Sequence, residues 1–231
     1  MSHPHASSAT STLAAALWDF DGTLADTEPL WVAAEYELVG SLGGSWSSHH
    51  AEQLVGNALI DTGAYILRVL DRDDLAPEWV VQQLLQRVVQ ALSTQPIPWR
   101  PGALELLRSF HDAGVPCALV SASYRILLDA ALSQLPPDSF QTSVAGDEVS
   151  HGKPHPEPYE TACRKLGVEA RDCVVFEDSG TGARSGNAAG ALVLAVPNMV
   201  RIPDAPRRLH VASMADLDAN RVAALLEQAN A

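Results

Sequence analysis

Four short apolar runs, at residues 13–18, 115–120, 173–176 and 191–196, dominate the pattern of this chain. The first three stop abruptly at an acid or a serine: Asp19, Ser121 and Glu177. Runs this short, apolar on consecutive positions and separated by helical periodicity, are the signature of strands buried on both faces. They predict an α/β fold with a doubly wound, Rossmann-like parallel sheet. Two weaker strands are expected near 142–145 and 208–212, and helices over 103–113, 125–135, 157–166, 182–189 and 222–229. Sheets of this kind bind ligands at the carboxyl ends of their strands. Those are the places where the runs put their polar residues.

The first run ends in Asp19-Phe20-Asp21-Gly22-Thr23-Leu24. Side chains two apart on an extended segment point the same way, and the glycine permits a sharp turn. Both carboxylates can therefore face one reacting atom, one as nucleophile and metal ligand, the other moving protons. An Asp-Gly pair is also ordinary turn chemistry, so the motif alone does not decide. Three later segments do: Val120-Ser121-Ala122-Ser123, Gly152-Lys153-Pro154 and Phe176-Glu177-Asp178-Ser179-Gly180. Together they offer two acids, a hydroxyl, a lysine and two more acids, a set suited to phosphoryl transfer with Mg²⁺. Lys153 is one of two lysines in the chain, the other being Lys165, which argues against mere surface charge.

In that order and spacing, Asp19-x-Asp21-Gly22-Thr23, Ser121, Lys153 and Glu177-Asp178 resemble the four motifs of the haloacid-dehalogenase-like superfamily of phosphohydrolases. The resemblance runs from about residue 13 to the C-terminus. Asp26-Thr27-Glu28-Pro29-Leu30 resembles the subgroup with a helical cap after the first motif, which includes phosphoglycolate phosphatase, sugar-phosphate phosphatases and β-phosphoglucomutase. The resemblance implies Asp19 as nucleophile and Asp21 as acid/base. It implies an Mg²⁺ held by side-chain oxygens of Asp19 and Asp178 and the backbone carbonyl of Asp21. Glu177 would act through a water or support the cage, although acids also suit a helix N-terminus without any metal. Ser121, with the backbone N–H groups of Ala122 and Ser123, and Lys153 would bind the substrate phosphate. His151 and His155 flank Lys153 and read as loop histidines.

Between residues 28 and 98 the strand pattern disappears. Helices are expected at 29–39, 50–55, 60–70 and 77–92, making an all-helical cap inserted into a core of residues 13–27 and 99–231. Trp31, Trp46, Trp79 and Trp99 lie in or beside the cap and read mostly as its core, with one or two facing substrate. In the mutase branch the resemblance leads one to expect a histidine where Trp31 stands, and an arginine where Asn57 and Ala58 stand. The cap holds no lysine, and its Arg68, Arg72 and Arg87 fall in helices, where salt-bridged surface is the default. A phosphatase of a small phosphorylated metabolite, a sugar phosphate or related monoester, is therefore expected. The alternatives are a phosphomutase and a non-catalytic protein that binds phosphorylated ligands. A dehalogenase is disfavoured because it would not keep Asp21 and Asp178 together.

A formal charge of −13 argues against nucleic acid and anionic membranes as partners. It also means that an anionic substrate must be drawn in by the local field of a metal, Lys153 and backbone N–H groups. Residues 1–12 read as a disordered tail, not a leader, with His3 and His5 solvated. No apolar stretch approaches the roughly 20 residues of a membrane span. Cys117, Cys163 and Cys173 lack metal-ligand spacing and read as buried reduced thiols, which fits a cytoplasmic protein; a monomer is expected.

Overall fold

The computed structural model describes residues 13–54 and 57–231. The expected tail with His3 and His5, and Val55 and Gly56 of the cap, lie outside the described residues. Six parallel strands form one sheet: β1 (Ala15–Trp18), β2 (Cys117–Val120), β3 (Thr142–Val144), β4 (Cys173–Glu177), β5 (Leu192–Ala195) and β6 (Arg208–His210). Their order is β3-β2-β1-β4-β5-β6, so the chain works outward from β1 to one edge and returns to its other side. The reversal falls between β1 and β4, whose register pairs Trp18 with Phe176. A crevice opens at such a switch point, and Asp19 and Glu177 follow those two residues directly.

Alternate residues of the strands serve opposite faces. Ala16, Trp18, Val174, Phe176, Leu192 and Leu194 pack on one side, with α5 (Ala103–Asp112), α6 (Arg125–Leu132) and α9 (Ala219–Asn230). Ala15, Leu17, Val175, Val193 and Ala195 pack on the other, with α7 (Glu157–Leu166) and α8 (Gly180–Ala188). Helices on both faces explain why the strands are apolar at every position. Trp18 stacks on Phe176 at 4.3 Å between ring centroids, edge-on to Phe110 of α5, and fixes the β1–β4 pair.

Four helices, α1 (Glu28–Ser41), α2 (Ser48–Glu52), α3 (Leu59–Val69) and α4 (Pro77–Thr94), are inserted between β1 and α5. Their apolar faces meet each other through Leu38, Ile66, Val80, Leu84 and Val88, all buried. Two antiparallel crossings connect them to the core. Asp26 N–H donates to the Pro98 carbonyl at 2.8 Å, and Arg100 N–H to that of Leu24 at 3.0 Å. Arg72 pairs with Asp74 and Arg87 with Glu37, while Arg68 lies over the Tyr65 ring.

Element limits differ from expectation where side chains cap helices. The Ser179 hydroxyl accepts from Gly182 N–H at 3.0 Å, so α8 starts at Gly180 rather than 182. The Asp218 carboxylate accepts from Arg221 N–H at 2.8 Å, which starts α9 at Ala219 rather than 222. The helix expected at 50–55 is the short α2, begun two residues earlier. Among the described residues, no helix is long and apolar enough to cross a membrane. The three cysteines are free and buried, and burial pushes the Cys117 thiol up to about 12.

Candidate active site

After Trp18 the chain leaves the sheet in a tight loop. Asp19 N–H still donates to the Phe176 carbonyl at 3.1 Å, so its backbone stays fixed to β4. Gly22 then takes φ +83°, and a Cβ there would collide with the Asp178 carboxylate. Only glycine permits both the left-handed turn and that approach. Leu24 and Ala25 N–H groups close the loop on the Phe20 carbonyl.

Lys153 reaches this loop from the segment before α7. Its ammonium donates to Asp19 Oδ1 at 2.7 Å, Glu177 Oε1 at 2.7 Å and the Val120 carbonyl at 2.9 Å. Those bonds use all three of its protons, and its side chain is only 5% exposed. Burial alone would lower its pKa, but the two carboxylates outweigh it and hold the ammonium charged. Glu177 in turn accepts from Tyr159 Oη at 2.8 Å and the Ser179 hydroxyl at 3.1 Å. Gly182 clears the space beside it, since a Cβ there would overlap the Glu177 carboxylate. Tyr159, absent from the sequence reading, is completely buried, and its hydroxyl pKa is raised by burial and then by the acids nearby.

Carboxylate oxygens of Asp19, Glu177 and Asp178 lie within 4.8 Å of one another. Burial, then Glu177, pushes the Asp19 carboxyl up to about 7 against the opposing pull of Lys153. Burial and Asp19 likewise push Asp178 well up, and among the described residues only the Thr23 hydroxyl, at 3.3 Å, donates to it. Three buried acids share one ammonium, so they can all ionise together only if a further cation joins them. Hard oxygen donors at this spacing suit Mg²⁺, so the residues present fit that cation.

Asp21 faces away from this group. Its Oδ1 accepts from the Thr27 hydroxyl at 2.7 Å and the Trp31 indole N–H at 2.9 Å, and its Oδ2 from the hydroxyls of Ser121 at 3.1 Å and Ser123 at 2.7 Å. Ser121, expected to hold phosphate, here donates to Asp21 and accepts from Ser123 N–H at 2.9 Å. Ala122 and Ser123 line the cavity that also exposes Asp19, Asp21, Lys153 and Asp178. His151 and His155 lie outside it on the surface, stacked on each other, with His151 on Glu157. All seven expected residues thus meet at the ends of β1, β2 and β4. The cavity, about 800 Å³ of space including its open mouth, is roofed by α1 and the chain around α3.

A family model described as haloacid dehalogenase-like hydrolase matches residues 13–190. The chain belongs to the haloacid dehalogenase-like hydrolases. Hexitol phosphatase B of Escherichia coli K12 is 33% identical over 192 residues, covering 79% of this chain and 83% of that protein. The bifunctional riboflavin kinase/FMN phosphatase of Arabidopsis thaliana is 30% identical over 204 residues, and the chain spans about half of it, 51%. Among solved structures, CbbY of Rhodobacter sphaeroides in complex with xylulose-(1,5)bisphosphate superposes with a TM-score of 0.80 at 27% identity. That match covers 89% of this chain and 96% of the other. The matched residues 13–190 span the helical insertion and the first four strands of the sheet with the helices between them.

Proposed function

We propose that this hydrolase is an Mg²⁺-dependent phosphatase of a small phosphorylated metabolite, a sugar phosphate or related monoester, acting through an aspartyl phosphate on Asp19. The observation that carries it is the buried contact of Lys153 with Asp19 and Glu177, beside Asp178 and across from Asp21. An attacking carboxylate and a phosphate repel, so the reaction needs positive charge at the point of contact. Lys153 supplies one unit; Asp19 and Asp178 would hold Mg²⁺, with Glu177 bracing the lysine rather than facing the phosphate. When bound, the cation neutralises the phosphate oxygens and keeps Asp19 ionised.

An Asp19 oxygen attacks phosphorus as the bond to the leaving alcohol breaks. Asp21 is placed by four hydrogen bonds away from the acid cluster and gives its proton to the departing oxygen. It then takes a proton from the water that attacks the aspartyl phosphate, releasing inorganic phosphate and restoring Asp19. The relatives named hexitol phosphatase A and B support this reading. The test is phosphate release from a panel of monophosphates with and without Mg²⁺. EDTA should abolish release and Mg²⁺ restore it; undiminished turnover in metal-free buffer would refute the mechanism.

A further inference from the structure

Glu28, Trp31 and Glu35 of α1 all line the cavity. Spacings of three and four residues put them on one helix face. Seven residues at the rise of an α-helix separate Glu35 from Glu28 by about 10 Å. Trp31 anchors the near part of this face on Asp21. Glu35 therefore lies towards the far end of the cavity, where the organic part of a phosphate ester would reach.

Glu35 is 4% exposed and its Oε2 accepts from the Trp46 indole N–H at 3.0 Å. The Trp46 ring is wedged against His50, at 4.8 Å between centroids, and against Tyr65. Oε1 takes no hydrogen bond among the described residues, and no lysine or arginine other than Lys153 lines the cavity. That oxygen faces the open cavity, where a ligand hydroxyl can replace the water that otherwise meets it. Trp46 fixes the orientation of the carboxyl, so the free oxygen is a directed acceptor. Thr62 and Asn57, also on the lining, are neutral and polar.

We propose that Glu35 determines specificity by accepting a hydrogen bond from a hydroxyl on the distal part of a polyhydroxy monophosphate and repelling a second anionic group there. The inference rests on the phosphatase reading of the site. A hydroxyl fits better than an ammonium because burial holds the Glu35 carboxyl up, at about 7, so that it is only partly ionised at neutral pH and still disfavours a second anion. A second phosphate has no cation to meet on this side: Lys153 is at the core end with its protons committed.

The test compares wild type, Glu35→Gln and Glu35→Leu on sorbitol 6-phosphate, the corresponding amino analogue, p-nitrophenyl phosphate and fructose 1,6-bisphosphate. Glu35→Gln keeps an acceptor for Trp46 but presents an amide instead of a carboxyl. In both variants the ratio of kcat/KM for sorbitol 6-phosphate over the aryl ester should fall about tenfold, through KM, the scale expected for a hydrogen bond to such a group. The rate on the bisphosphate relative to the polyol monophosphate should rise. An unchanged ratio, whether both substrates fall together or neither does, would overturn the inference and leave the phosphatase reading standing. Preference of wild type for the amino analogue by more than tenfold would overturn it too. No phosphate release by wild type from any ester would overturn the phosphatase reading, and the inference with it.

Discussion

The Trp31 indole N–H donates to Asp21 Oδ1 at 2.9 Å, so the first inserted helix touches the carboxylate proposed as the acid/base. Three further hydroxyl donors, from Thr27, Ser121 and Ser123, hold the same group. Asp21 thus has its aim set jointly by the sheet and the helical insertion.

Trp31→Phe keeps the ring's packing and deletes one donor of four. A hydrogen bond to a charged group is worth about 1.5–3 kcal/mol, and the remaining donors retain part of the orientation. The expected result is a loss of about tenfold in kcat on an alkyl phosphate, with a smaller loss on p-nitrophenyl phosphate, whose leaving group needs no proton. Equal losses on the two would show that Trp31 acts on binding instead.

Asp19 and Asp21 should fail differently. Asp19→Asn removes the nucleophile, so a rapid-quench experiment should show no phosphoenzyme. Asp21→Asn should still be phosphorylated by the aryl ester. Its turnover of alkyl phosphates should drop by roughly 10²–10⁴-fold, the usual scale of acid–base assistance. Phosphoenzyme in Asp19→Asn would reassign the nucleophile.

The clustering of polar residues at the strand ends was legible because the motifs are short, local and tied to apolar runs: Asp19, Lys153 and Asp178 meet there. What the sequence hid depends on tertiary geometry. Tyr159 in Glu-Pro-Tyr-Glu reads as an ordinary aromatic, and only the packing of α7 across β1, β2 and β3 brings its hydroxyl to Glu177. Glu35 sits in a helix of mixed polarity, where a glutamate looks like solvated surface, yet Trp46 and the neighbouring helices bury it. Ser121 was legible as a site residue but not in its contact with Asp21, because 100 positions separate the two. Helix starts at Gly180 and Ala219 were missed because the caps, Ser179 and Asp218, precede residues with weak helical pattern.

Stability should fall as pH rises in the metal-free protein. The Asp19 carboxyl moves from 3.8 to about 7 on folding and that of Glu35 from 4.5 to about 7. The folded state therefore holds more protons than the unfolded one across that window, and its advantage is lost as pH climbs through the folded values. The thermal midpoint without metal should be higher at pH 5 than at pH 7.5. Mg²⁺ should raise the pH 7.5 value by binding the folded state only, and Glu35→Gln should remove part of the slope without weakening that metal effect. A midpoint that rises with pH in EDTA would contradict the burial of these acids uncharged.

Lys153 balances the charge of Asp19 and Glu177, and in the proposed mechanism its field also favours the phosphate; a double-mutant cycle can separate the two. Its partners are 8% exposed for the Asp19 side chain and 1% for Glu177. Removing one member of a buried ion pair leaves the other uncompensated, at a cost of about 3–5 kcal/mol. Lys153→Met should therefore lower the urea midpoint strongly and abolish phosphate release. Glu177→Gln in the same protein removes one of the stranded charges while keeping an acceptor for Tyr159, so part of the lost stability should return. Activity should not return, because the positive charge that Lys153 places beside Asp19 is still missing. The coupling between the two substitutions should be on the order of 1 kcal/mol or more and favourable. Strictly additive stability losses would mean that Lys153 and Glu177 do not compensate each other, and recovery of turnover would mean that the lysine is not needed at the phosphate.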